Sequence, residues 1–283
     1  MTGIASGKEK VMPLRSITSF AAAVLIATGS VVFAATPTPT ALVAAAVDAA
    51  ETQSSMDLHN MIRLAVQQEE TTSDGTTEAT EFTAVVHGSR VENARVVLSH
   101  GVSLAMSGTT GWAMIRGELD SRPQTPQMAA GTIRQMIFPL VMPFSLQMEG
   151  VTLGRVVEGS FDRTPAWVLD VTYESGFFAA PSMVAPWLIF ISREDNLVLG
   201  AQYLPPPEFR SVIDEGIRYR VLSRQDVDGV NLPAQILMEG IDFNGVENGH
   251  VRITKIAAET VDPLDLSLFI SPAAADKLDE GVF

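Results

Sequence analysis

Four histidines, His59, His87, His100 and His250, are the side chains best suited to hold a metal or relay a proton near neutral pH, and they are scattered along the chain. A metal pair needs HxxxH on a helix or HxH on a strand to bring both imidazoles to one side, and neither spacing occurs. Each histidine therefore reads as a solvated or hydrogen-bonded strand residue. Carboxylates that could work as general acids or bases, Glu69-Glu70, Asp170, Asp226 and Asp228, fall at turns or strand edges, where solvation accounts for them. The segment Gly101-Val102-Ser103-Leu104-Ala105 partly matches a nucleophile elbow. It lies within a strand pattern, however, and lacks the second glycine and the following helix. Ser6-Gly7-Lys8 sits in the N-terminal stretch, and no P-loop or GxGxxG opens a helix. With no cysteine, zinc ribbons, Fe–S centres, thiol hydrolases and disulfide scaffolds are excluded. No catalytic set, metal or cofactor is expected.

Composition narrows the partners. The chain has 283 residues, 46% of them hydrophobic and only 7% aromatic, and a formal net charge of -14. Binding to nucleic acid draws on lysine and arginine at phosphates, so an acidic chain argues against nucleic acid and anionic membrane surfaces as direct partners.

Residues 1–15 carry Lys8, Lys10 and Arg15, and Ser16 to Ala35 is uncharged and ends in small residues. With Val32-Phe33-Ala34 as an A-x-A-like site, residues 1–34 read as a secretory signal peptide; the alternative is an uncleaved anchor helix. No twin-arginine pair and no lipobox cysteine accompany it, so the mature protein is expected free in the periplasm or outside the cell. Residues 35–40 read as a linker because of Pro37 and Pro39, and residues 41–283 as a single domain. Ala41 to Ala50 predicts a short helix that continues toward Ser54.

From residue 58 onward, alternation dominates. Ile62, Leu64 and Val66 alternate with Arg63, Ala65 and Gln67, and Ile217, Tyr219 and Val221 with Arg218 and Arg220. Asp74-Gly75, Asp195-Asn196, Asp228-Gly229 and Asn244-Gly245 supply hairpin turns. Strands are expected near 58–68, 79–88, 91–105, 110–117, 144–149, 151–160, 165–173, 186–193, 197–203, 217–227, 232–241 and 249–259. Few helices intervene, so the fold class is mainly β with some helix, one highly curved antiparallel sheet. Pro126 to Val141 interrupts it with apolar residues at helical spacing, ended by Pro139 and Pro143.

The run Met136 to Met148 concentrates methionine, phenylalanine and leucine around two prolines. Methionine is unbranched and polarizable and repacks around guests of varied shape. The run fits the lip of a hydrophobic cavity, or simply the packing face of a helix on a sheet. A helix laid across a concave sheet leaves a groove, a common place for apolar ligands. The candidate ligand-binding residues are Trp112, Met114, Met136, Ile137, Phe138, Leu140, Met142, Phe144, Leu146 and Met148. Glutamate at Phe138 or Met142 is expected to abolish ligand binding with the fold intact.

Four motifs stand out: the hairpin at Thr72-Ser73-Asp74-Gly75, the strand turn Met106 to Trp112, the Arg220-Val221 to Asp228-Gly229-Val230-Asn231-Leu232-Pro233 hairpin, and the closing Asp265 to Pro272 segment. Together they resemble motifs of the LolA/LolB-like superfamily of periplasmic lipoprotein carriers. The resemblance implies an incomplete β-barrel with a helical lid over an apolar cavity. It places Trp112 at the cavity wall and the Pro126 to Val141 helix in the lid, with Arg63 and Arg90 as candidates for the family's gating arginine. The function this implies is that of a non-enzymatic, monomeric carrier for lipid, lipoprotein acyl chains or another apolar ligand, with a membrane-protein donor or acceptor. An envelope sensor or assembly factor that binds a protein partner through the same groove is the alternative, and a hydrolase with an unrecognised site is the third reading.

Overall fold

Among the described residues, the alternation is realised as thirteen strands in one antiparallel sheet. The first six are β1 (Met61–Thr71), β2 (Thr77–His87), β3 (Asn93–Leu98), β4 (Val102–Ser107), β5 (Thr110–Ile115) and β6 (Glu118–Leu119). The remaining seven are β7 (Val151–Phe161), β8 (Thr164–Tyr173), β9 (Trp187–Ser192), β10 (Val198–Tyr203), β11 (Gly216–Val227), β12 (Val230–Ile241) and β13 (Glu247–Val261). The structure, a computed structural model, describes residues 35–51, 61–87, 91–180, 186–211, 213, 215–261 and 265–272. The expected signal peptide, the helix extension toward Ser54 and Arg90 lie outside these residues. Those from Thr36 onward pack as one compact unit.

The sheet order is β6-β5-β4-β3-β2-β1-β13-β12-β11-β10-β9-β8-β7. Every neighbouring pair is consecutive in sequence except β1 with β13. Two meanders therefore meet at that seam, and β6 and β7 are left as the two edges of an unclosed, curved sheet. Register shifts in β7–β8, β9–β10, β11–β12 and β12–β13 mark bulges, which increase local twist and help the sheet curl. Because side chains alternate, each strand sends every second residue to the concave face. Ile62, Leu64 and Val66 of β1 go there and join Phe82, Ala84, Val96, Leu104, Leu169, Ile189 and Ala201 in one core cluster.

That core is covered from inside. Helix α1 (Pro39–Ala50) starts two residues within the stretch read as linker, because Thr38 caps it through Oγ1 to the Ala41 N–H and proline is tolerated in the first turn. It buries Leu42, Val43, Ala46, Val47 and Ala50, one stripe at helical spacing. Residues 120–150 then join edge β6 to edge β7 and must cross the concave face to do so. This strap carries α2 (Thr125–Ile137) and two short 3-10 helices, Phe138–Leu140 and Phe144–Gln147. Helix α2 packs on β3, β4 and β5, the first 3-10 turn on β12, and the second on β7 and α1.

Three expectations need correction. Residues 91–105 form parts of two strands, because Ser99 to Gly101 makes a turn in which Gly101 takes φ 75°, a backbone conformation few other residues hold without strain. Residues 144–149 are not a strand: Phe144, Ser145 and Leu146 are all buried, so the alternation there does not separate an inner from an outer face. The helix expected to Val141 ends its α-helical course at Ile137, and Pro139, which has no N–H to donate, sits in the 3-10 turn that follows.

Candidate functional site

Between the strap and the β1–β13–β12–β11 part of the sheet lies a cavity of about 380 Å³. Its strap side is made by Thr132, Gln135, Met136, Pro139 and Leu140, and its sheet side by Gln68, Glu215, Ile217, Tyr219, Ile236, Met238, His250, Arg252 and Thr254. The lining divides into an apolar part and a polar part. The strand registers explain the division, since Ile236 stands opposite Thr254 and Met238 opposite Arg252, while Glu70 stands opposite Arg252 on the other side.

The polar part is a connected set. Arg252 donates from Nε to Glu70 Oε2 at 3.0 Å and from Nη2 to Glu70 Oε1 at 2.9 Å, a two-point pairing. His250 holds Glu70 Oε1 at 2.6 Å through Nε2 and Glu215 Oε1 at 2.8 Å through Nδ1. Asn248 donates to Glu215 Oε2 at 2.7 Å. Burial opposes a charge on His250, but the hydrogen bonds to Glu70 and Glu215 outweigh it and raise the imidazole pKa above its ordinary value. Burial likewise opposes the Glu70 carboxylate, yet Arg252 and His250 hold its pKa below the usual range. Gly240 makes room for the set, because a Cβ there would lie 2.5 Å from Asn248 Oδ1 and 2.6 Å from Glu215 Oε2.

A second cavity, of about 420 Å³, lies at the β6 edge of the sheet, where the first turn of α2 also lines it through Thr125 and Pro126. Trp112 and Phe269 line it, and Trp112 donates from Nε1 to the Phe269 carbonyl at 3.2 Å. Trp112 faces outward because its neighbours Gly111 and Ala113 take the inward positions of β5: a Cβ on Gly111 would meet the Ala130 nitrogen of α2 at 2.7 Å. Trp112 thus belongs to the wall of this edge cavity rather than to the groove under the strap, and Met114 shares its parity.

The other candidates separate in the same way. Met136 and Leu140 line the groove. Ile137, Phe138, Met142, Phe144, Leu146 and Met148 are buried in the core beneath the strap. Phe138 packs edge-on against Tyr173, Phe178 and Trp187, with ring centroids 5.6, 5.8 and 5.4 Å away. A glutamate at Phe138 or Met142 would therefore put a carboxylate into packed core, so the expectation of an intact fold is corrected. Arg63, a gating candidate, is half-exposed and pairs with Glu259 at 2.7 Å.

An open antiparallel sheet spanned on its concave face by a helical strap can now be compared with known structures. The chain is similar to a LolA superfamily protein from Nitrosomonas europaea, with a TM-score of 0.56 at 14% identity over 84% of this chain and 99% of that one. The fold is LolA-like. A DUF1329 family protein from Desulfovibrio piger matches with a TM-score of 0.55 at 12% identity, over 83% of this chain and 98% of that one. A domain from Vibrio parahaemolyticus named for outer membrane lipoprotein sorting matches with 0.52 at 7% identity, over 80% and 97%. No family model and no curated protein matches the sequence. At such identities the likeness is one of fold, and the LolA-like half-barrel leaves the occupant of its groove to be argued from the groove's own residues.

Sequence reading missed Glu70, Glu215 and Arg252 as groove residues and treated His250 only as a strand histidine. A signal was present in the parity of the strands. Gln68 and Glu70 continue the inward series Ile62, Leu64, Val66, and His250, Arg252 and Thr254 run in the same series as Ile256. Polar residues at inward positions mark where a core stops being filled by the protein itself.

Proposed function

We propose that the protein is an exported, non-enzymatic carrier that shelters a lipid, a lipoprotein acyl chain or another apolar ligand under the strap. The observation that supports it best is the groove, whose apolar side combines two flexible methionines, Met136 and Met238, with Leu140, Ile217 and Ile236, beside a hydrogen-bonding polar side. Its volume of about 380 Å³ lies within the range of small-ligand cavities. Each buried CH₂ contributes roughly 0.8 kcal/mol, so part of an acyl chain suffices for useful affinity. On this reading Ile137, Phe138, Met142, Phe144, Leu146 and Met148 form the underside of the lid that a longer guest displaces. The similarity to a domain named for outer membrane lipoprotein sorting supports an acylated cargo and a periplasmic setting, and the proposal includes exchange with a membrane-protein donor or acceptor.

Native mass spectrometry of gently purified protein, with titration of a fluorescent acyl-ester probe, tests the proposal. Adducts of lipid mass and saturable probe binding that weakens in Met136→Glu are the expected result. A ligand-free spectrum without saturable binding overturns it, and one stoichiometric protein partner without lipid favours the assembly-factor reading.

A further inference from the structure

Among the described residues, the charges at the groove's polar side cancel one another. Glu215 and Glu70, the latter held by the lining residues Arg252 and His250, supply two negative charges, and Arg252 one positive. Both ring nitrogens of His250 face carboxylates, at 2.6 and 2.8 Å, so both carry hydrogen and the ring is the imidazolium. Arg252 already gives Nε and Nη2 to Glu70. The other polar residues lining the groove, Gln68, Thr132, Gln135, Tyr219 and Thr254, are uncharged donors and acceptors.

We infer that the groove selects amphiphiles whose polar group is uncharged, such as acyl esters and monoacylglycerols, over fatty-acid anions and fatty amines of the same chain length. The inference rests on the carrier reading and narrows it to a ligand class. An anionic head group would have to compete with Glu70 for Arg252 while lying against two carboxylates. An ammonium would have to compete with His250 for Glu70 or Glu215 while lying against a guanidinium. Either charge leaves water for a site that holds no spare counter-charge among the described residues, which is costly. An ester or hydroxyl finds partners at Gln68, Thr132, Gln135 and Thr254 without breaking an ion pair. Gly240 keeps the arrangement closed, since any larger residue pushes Asn248 and Glu215 away from it.

The test is displacement of the fluorescent acyl-ester probe from the full protein at pH 7 by monooleoylglycerol, oleate and oleylamine, three ligands with one C18 chain. Monooleoylglycerol is expected to bind about tenfold or more tightly than either charged ligand. Oleate or oleylamine binding equally well overturns the inference and leaves the carrier reading standing. Failure of the probe and all three ligands to bind overturns both. Glu70→Gln, which deprives Arg252 of its carboxylate, is expected to narrow the gap between ester and oleate. Arg252→Gln, tested alongside because Glu70 also ties two strands together, is expected to narrow it for oleylamine. An unchanged preference in folded samples of both variants removes this cluster as the source of selection.

Discussion

Glu70 and Arg252 stand directly opposite each other across the seam between β1 and β13, and the guanidinium engages both carboxylate oxygens. This pair joins the two meanders on their concave side, at the place where strand neighbours cease to be consecutive in sequence. It also positions His250, which shares Glu70 Oε1. A single contact thus belongs to both the stability of the sheet and the polarity of the groove.

Glu70→Gln is expected to destabilise the protein by about 1–2 kcal/mol, below the cost of breaking a fully buried pair because water still reaches both side chains. A double-mutant cycle with Arg252→Gln, read by urea denaturation, should give a coupling of at least about 0.5 kcal/mol. Additive losses would show that the pair contributes nothing of its own.

Stability should also depend on pH through His250. Its folded pKa is raised, so its contribution is fully present below the unfolded value of about 6.5 and is lost as pH rises through the folded value. The melting temperature of the native protein is expected to fall across that window. His250→Gln should flatten that part of the profile, and an identical fall in the variant would assign it to other groups.

Gly131→Ala tests how closely the lid is seated. A Cβ on Gly131 would lie 2.6 Å from the Ala179 nitrogen and 2.9 Å from the Phe178 carbonyl carbon, both backbone atoms that have little room to yield. Alanine improves helix propensity by about 1 kcal/mol, while overpacking costs about 1–3 kcal/mol. A net loss in thermal stability is expected, with faster amide exchange in α2. A stabilised variant would mean that the 174–180 segment moves aside freely.

Phe138→Ala should cost about 3–5 kcal/mol, since the ring is 3% exposed and contacts three other aromatic residues. Met136→Ala, at the groove's edge, should cost under about 1 kcal/mol while still changing probe affinity. Equal losses in chemical denaturation would contradict the division between lid core and groove lining.

The sheet was legible in the sequence because its turns are written locally. Asp228 and Gly229 both adopt positive φ, at 50° and 88°, as the two-residue hairpin their types predict. Residues 144–149 misled because alternation of Phe144, Leu146 and Met148 is a strand signal only when the intervening residues meet water, and Ser145 is fully buried. The groove was harder to read. Met136 and Leu140 were reached through composition, but Glu70, Glu215, His250 and Arg252 come from three separate parts of the chain. Only the β1–β13 register and the approach of the segment before β11 bring them together. Trp112 shows the same limit, because its residue type suggests a cavity wall but only the parity of β5 decides which cavity.

The β1–β13 seam also sets an order of events during folding. Met61 must find Val261, so β1 waits for a partner made almost two hundred residues later, while the other strand pairs lie near each other in sequence or across short connections. Each meander can zip through local hairpins, whereas the seam requires a long loop to close and is the slow step. Until the last long strand arrives, one side of β1 offers bare amides and carbonyls to any passing chain. Completion of the half-barrel therefore depends on its final strand, and that dependence makes the time between the first strand's appearance and the last one's the period of greatest exposure to misassembly.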